Sequence, residues 1–293
     1  MATMTAGAPA RKPIKLGQIV NRVLFWIMIV MILVYTVFPF YWAIVSSLKP
    51  AGQLFDTPVA YWPKTVTLEN YQNVFENPNF GLALRNSAIV TIITVVLSLV
   101  LGSLGAYATG RLAFRGKTII LYTVLAMTMF PAISILGSLY QMIVAFGVYN
   151  RIPALVFAYL TFTLPFTVWV LTNFFRAMPG ELEEAAFVDG ATPMQTFRMV
   201  LLPLALPGMV TTGLLAFIAA WNEFLFALTF TQDYEGARTA PVLIATFSGK
   251  TEFELPWGSI MAASVTVTIP LIILVLVFQR RIMAGLTAGA VKG

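Results

Sequence analysis

The 293-residue chain is 59% apolar and only 10% charged, with a formal charge of +6 and neither cysteine nor histidine. Such a composition lies outside the range of soluble domains. It excludes disulfide frameworks, thiolate nucleophiles, imidazole bases and the usual zinc sites, and no metal site is expected.

Six runs hold no Asp, Glu, Lys or Arg: 23–48, 86–110, 118–150, 152–175, 199–222 and 255–279. Each exceeds the ~20 residues with which an α-helix crosses about 30 Å of hydrocarbon. None alternates polar and apolar residues, so a β-barrel is not expected. Helices are, because lipid offers no water to open backbone groups. The fold class is therefore an all-α polytopic membrane protein with six transmembrane helices. Its expected parts are an N-terminal tail (1–20), a membrane domain (21–278) and a C-terminal tail (279–293).

Orientation follows from the basic residues. With the N-terminus in the cytosol, the inner pieces hold Arg11, Lys12, Lys15, Arg22, Arg111, Arg115, Lys117, Arg176, Arg198, Arg280, Arg281 and Lys292. The outer pieces hold only Lys49, Lys64, Arg85, Arg151, Arg238 and Lys250. Both termini are thus expected to be cytosolic, and the positive charge serves topology rather than nucleic acid.

Residues 1–15 read as a disordered tail. The first span, about 22–47, is too long for a signal-peptide core and lacks a cleavage site, so it should stay as an anchor. Trp26 and Trp42 sit near its opposite ends, and Pro39 is placed to kink the outer one. Residues 48–83 form an outer loop in which 68–75 carries helical spacing at Tyr71, Val74 and Phe75, predicting a short interfacial helix. The second span (85–109) has small residues at Gly102, Gly105 and Ala106; such residues either let helices approach closely or merely face lipid. A basic turn, Arg111 to Lys117, follows. Its Gly110 and Gly116-Lys117-Thr118 mimic a phosphate-binding loop, but five residues separate the glycines where the motif needs four, and no strand precedes it.

Pro131 and Pro165 fall in mid-membrane in the third and fourth spans, where a missing amide donor and a ring clash should kink or partly unwind each helix. Interrupted helices often face a transport path, although many prolines only bend a helix. The fifth span is expected from Pro207 to about Thr231, with 232–255 an outer loop and the sixth span leading into the tail. Glu223 is then the single ionisable residue within a span, flanked by Trp221 and Asn222. These three are candidate substrate-pathway residues, because a carboxylate within the membrane is costly and marks function by default. Alternatively Glu223 pairs with a helix or partner donor, or meets water at the outer interface.

Between the fourth and fifth spans, residues 176–206 form a polar connector. Glu181, Glu183 and Glu184 open a short helix, where carboxylates complement the dipole. Leu182, Ala185, Ala186 and Val188 give it a shallow apolar surface. Gly190 fits the position after a helix that needs φ > 0. Thr192, Pro193 and Gln195 write the N-terminus of a second helix with a capping box, and Pro203 and Pro207 are expected to end it. A DNA-binding helix-turn-helix is disfavoured by the flanking spans and four carboxylates.

This connector resembles the signature of permease subunits of binding-protein-dependent ABC importers: Glu-Ala-Ala, three residues, Gly, nine residues, Ile, one residue, Leu-Pro. Here these are Glu184, Ala185, Ala186, Gly190, Val200 and Leu202-Pro203, with valine in place of isoleucine. The tail from Phe278 to Gly293 and the Trp221-Asn222-Glu223-Phe224 segment are similar to the maltose-type branch of sugar permeases. The resemblance implies the type I importer permease fold with a cytosolic helix-turn-helix coupling loop. It also implies a bacterial or archaeal plasma-membrane location and a non-catalytic subunit. Its partners would be a second related permease subunit, two copies of a cytosolic ABC ATPase, an extracytoplasmic sugar-binding protein and membrane lipid. The cargo would be a di- or oligosaccharide such as maltose, maltodextrin or trehalose. No cofactor would sit on this chain; ATP and Mg would be held by the partner ATPase. Glu181, Glu184, Ala185, Ala186, Asp189, Gly190 and Pro203 would serve ATPase coupling, and Gly285, Gly289 and Lys292 would lie at the ATPase interface.

An ion-coupled secondary transporter is the runner-up, but it would need several buried ionisable groups and an internal repeat. An intramembrane hydrolase would need paired carboxylates or a histidine. A membrane scaffold would need neither the connector nor the tail.

Overall fold

The computed structural model describes residues 16–232, 235–247 and 255–288, and among these every regular element is helical. Five helices are long and apolar enough to cross a membrane: α1 (Leu16–Ser47), α3 (Pro78–Gly110), α6 (Ile152–Ala177), a continuous run through residue 221, and α12 (Trp257–Ala288). Two shorter ones, α4 (Lys117–Thr128) and α5 (Ala132–Ala145), meet at a 100° bend and supply a sixth crossing if the pair counts as one. The third run is thus broken at Pro131, where a disruption is expected. Pro131, extended at φ −62° and ψ 129°, takes the position before α5, where its missing N–H costs nothing.

The centre of the bundle is the pair α3 and α6, which cross in close contact. Ser98 and Thr163 share a hydrogen bond of 2.8 Å, and Thr109 and Thr172 one of 2.9 Å. Between them Gly102 lies so near α6 that a Cβ there would stand 2.5 Å from Thr167 Cγ2. The small-residue face of the second span is a helix contact, not lipid-facing filler. Threonine hydroxyls on α6 also return to the backbone four residues earlier, as Thr167 does to Thr163 O at 2.7 Å. Pro165 does not interrupt α6, which runs through it as one helix packed along α3.

Several expectations about element ends need correction. The connector's second helix does not stop at Pro203 or Pro207. α8 (Pro193–Thr196) passes through one π-helical turn, Phe197–Leu201, straight into α9 (Leu202–Trp221). In the π turn Leu202 N–H reaches back five residues to Phe197 O, which widens the helix just before Pro203 and relieves the ring clash that would otherwise end it. The fifth span also ends early, at Trp221, and α10 (Leu225–Phe230) follows after a break.

The short helix α2 (Glu69–Glu76) buries Asn70 and Val74, while Phe75 is exposed. Asn70 Nδ2 donates to Ser47 O and Lys49 O, fastening α2 beneath the end of α1. α1 runs unbroken through Pro39, and no described side chain from Ile19 to Phe40 is buried. Its main helix contact is with α12, and its last turn is held by α2. At the same end α11 (Ala240–Ala245) is pinned to α3: Ala240 N–H donates to Ser87 Oγ at 2.9 Å, and Asn86 Nδ2 to Gly236 O and Arg238 O.

Candidate functional site

At the opposite end of the bundle the connector forms a two-helix elbow. After α6 the chain turns extended at Met178, and Gly180 precedes α7 (Glu181–Val188). Three carboxylates in its first turn face the positive end of the helix dipole. The last turn closes through two crossed hydrogen bonds: Gly190 N–H to Phe187 O at 3.0 Å and Ala191 N–H to Ala186 O at 2.9 Å. That is the Schellman pattern, and Gly190 supplies its left-handed residue at φ +81°. Thr192 then caps α8, with its Oγ1 accepting from Gln195 N–H while Gln195 Oε1 accepts from Thr192 N–H at 2.8 Å. Both local readings, the glycine turn and the capping box, hold.

Beneath the elbow lies a cluster of apolar side chains from α3, α6, the π turn and the start of α9: Ala106, Tyr107, Leu171, Phe175, Phe197, Leu201 and Ala205. Tyr107 sits 5.0 Å from the Phe197 ring and meets Phe175 edge-on at 6.3 Å, geometry favoured by ring quadrupoles. Its hydroxyl donates to Pro193 O at 3.2 Å, so α3 holds the start of α8 directly. The outer face of α7 is left open: Glu181, Glu184, Ala185, Asp189 and Gly190 are exposed, Phe187 is 48% exposed and Val188 87%. Ala186 points inward and is buried, as the tight seat of α7 requires. Pro203 is exposed on the side of α9.

Glu183 behaves differently from its neighbours. Its Oε2 accepts from Arg111 Nε at 2.7 Å, and Nη2 of the same guanidinium lies 2.5 Å away, with both side chains largely buried. Arg111 had been assigned only to topology and Glu183 only to the helix dipole. The two stand 72 residues apart, and no local pattern links them.

Each of the substrate-pathway candidates has a local partner in the fold. Trp221 is buried, its indole N–H donates to Val267 O at 3.2 Å, and one ring face is taken by Phe217 at 5.5 Å. Asn222 is exposed and donates to Ile218 O at 2.9 Å. Glu223 lies in the break after α9, not within a span, and its carboxylate caps α10, accepting from Phe226 N–H at 2.8 Å and Ala227 N–H at 3.0 Å. Glu223→Ala should strip these bonds and cost about 2 kcal/mol, the range of hydrogen bonds to a charged group. Glu223→Gln, which keeps an acceptor, should lose much less. Melting of the detergent-solubilised protein checks this; equal melting temperatures for the two variants would refute the capping role. In the tail, Gly285 falls inside α12, while Gly289 and Lys292 lie outside the described residues.

The structure is thus an all-helical membrane bundle with a capped elbow between two of its spans, exposed on its outer face. The chain belongs to the family of binding-protein-dependent transport system inner membrane components, whose pattern matches residues 98–287. It is 46% identical, over 93% of its length and 99% of the relative's, to the trehalose transport system permease protein SugB of Mycobacterium tuberculosis. It is 43% identical, over 94% and 99%, to the trehalose/maltose transport system permease protein MalG of Thermococcus litoralis. Among solved structures, a bacterial ABC transporter involved in the import of the acidic polysaccharide alginate shares the fold, with a TM-score of 0.79 at 20% identity. That likeness covers 92% of this chain and 99% of the solved one.

Proposed function

We propose that the chain is the membrane subunit of an ATP-driven importer of a di- or oligosaccharide, of the trehalose and maltose class. It forms half of the translocation pathway beside a second, related permease subunit. An extracytoplasmic binding protein delivers the sugar, and two copies of a cytosolic ATPase, carrying ATP and Mg, supply the work. Both termini and the elbow face the cytosol, in agreement with the basic excess at that end. The exposed face of α7, with Glu181, Glu184, Ala185 and Asp189, docks on the ATPase, and the C-terminal segment from Gly285 onward approaches the ATPase pair.

The observation that carries this reading is the elbow itself. It is capped at both helix ends, turned on one glycine, seated on an aromatic cluster, and open only on its outer face. A rigid lever of this kind transmits displacement; a slack loop would absorb it. The sugar class rests on the two relatives named above. The long unburied stretch of α1 supports a second membrane subunit, since a helix apolar all round needs lipid or protein against it.

The test is uptake in proteoliposomes containing the chain, its partner permease and the ATPase. Labelled trehalose or maltose should enter only with ATP on the ATPase side and binding protein on the other, and ionophores should not abolish it. Uptake driven by an ion gradient without the ATPase would overturn the proposal.

A further inference from the structure

We infer that Arg111 and Glu183 form a clamp that makes α3, α6 and the coupling elbow move as one body, so that Arg111 is a positioning residue for coupling. The inference rests on the permease reading above and deepens it.

Arg111 is the first residue after α3, with its own N–H bonded to Tyr107 O. Its side chain reaches across to everything that links α6 to α7. Nη1 donates to Met178 O at 3.0 Å and Phe175 O at 3.4 Å, and Nη2 to Pro179 O at 3.3 Å. The remaining edge holds Glu183, and the pair's side chains are only 11% and 16% exposed. One planar fork thus joins the last turn of α6, the extended link and the first turn of α7. No lysine could serve all four acceptors, because its donors radiate from a single point. Arg176 returns the tie from the other helix, donating from Nη2 to Thr109 O at 3.4 Å.

Position explains why this matters. The covalent path from α6 to α7 passes through Met178, Pro179 and Gly180, three residues without side-chain caps of their own. Left alone, such a link would hinge, and displacement of α7 would be lost there. The guanidinium spans the hinge and ties it to α3, which is already zipped to α6 through Ser98–Thr163 and Thr109–Thr172. Of the four acidic residues on the elbow, Glu183 alone turns inward to be held, while Glu181, Glu184 and Asp189 are exposed. The partly buried setting also limits screening by salt, which an exposed pair would not escape.

The chain has no cysteine, so R111C/E183C introduces a unique reactive pair. The assembled complex, with cysteine-free partners, is assayed in proteoliposomes for labelled trehalose taken up per ATP hydrolysed. With both thiols reduced, the complex should still co-purify and hydrolyse ATP, but uptake per ATP should fall roughly tenfold, within the range of site-to-site couplings. Bridging the two thiols with a short bismaleimide should restore the ratio. An unchanged ratio in the reduced variant overturns the clamp, as does a bridge that fails to restore transport or arrests it. Should R111C/E183C not assemble, R111A removes every bond the guanidinium makes across the link, and a wild-type ratio in it overturns the clamp equally. Absence of ATP-dependent uptake by the wild-type complex would instead count against the permease reading.

Discussion

Gly190→Val is expected to leave the subunit inserted and assembled while sharply lowering sugar uptake per ATP hydrolysed. The cause is backbone conformation, not space. A Cβ at Gly190 meets nothing within 4 Å, yet φ is +81°. An L-residue in the left-handed region costs about 1–2 kcal/mol, and a β-branched one more. The turn can escape that strain only by leaving the left-handed conformation. It then forfeits the bonds from Gly190 N–H to Phe187 O and from Ala191 N–H to Ala186 O, and α7 loses its fixed angle to α8. Asparagine, which tolerates this conformation, should retain most coupling, and alanine should fall between. The order Asn, Ala, Val in uptake per ATP, at constant co-purification with the ATPase, is the signature sought. Full uptake by the valine variant would refute the lever.

The second large effect should come from Gly102, and there the cause is space. An added Cβ would lie 2.5 Å from Thr167 Cγ2 and 3.0 Å from Thr167 Cβ, closer than packed atoms come. Gly102→Ala should therefore destabilise by about 1–3 kcal/mol, the usual cost of overpacking. Gly102→Leu cannot be housed unless α3 and α6 part, which would break the Ser98–Thr163 and Thr109–Thr172 bonds together. Loss of a monodisperse, folded subunit is the expected outcome. Thr167→Ser deletes the offending methyl yet keeps the hydroxyl that donates to Thr163 O. Combined with Gly102→Ala it should recover much of the loss, read as melting temperature in detergent. A double variant no better than Gly102→Ala alone would mean that the contact does not limit stability.

These two glycines also mark the boundary of what could be read from the chain alone. Local signals were legible. The charge-free runs located the spans, Thr192 with Gln195 announced a helix start, and Gly190 announced a helix end, because each depends on neighbours within a few residues. Signals that depend on distant partners were not. Trp221 reads as a free aromatic until Val267 O and Phe217 are found against it. Glu223 reads as a charge in the membrane until the backbone breaks and turns its carboxylate into a cap for α10. Pro203 reads as a helix terminator, and only the wider hydrogen bonding of the turn before it allows the helix to pass. Arg111 and Glu183 escaped notice for the same reason: their meeting is a property of the fold, not of either segment. The α4–α5 break was half visible, since Pro131 predicted a disruption but nothing local set its 100° angle.

The π turn at Phe197–Leu201 has a consequence for insertions and deletions. Such a turn holds one residue more than α geometry needs, and an α-helix advances about 100° and 1.5 Å per residue. Because the wide turn makes roughly one ordinary turn of rotation with one residue more, excising that residue would leave Thr192 and α9 in nearly their present phase. What the deletion would bring back is the clash between the Pro203 ring and the turn before it. The extra residue is accordingly what allows a proline to sit inside a continuous helix between the elbow and the membrane.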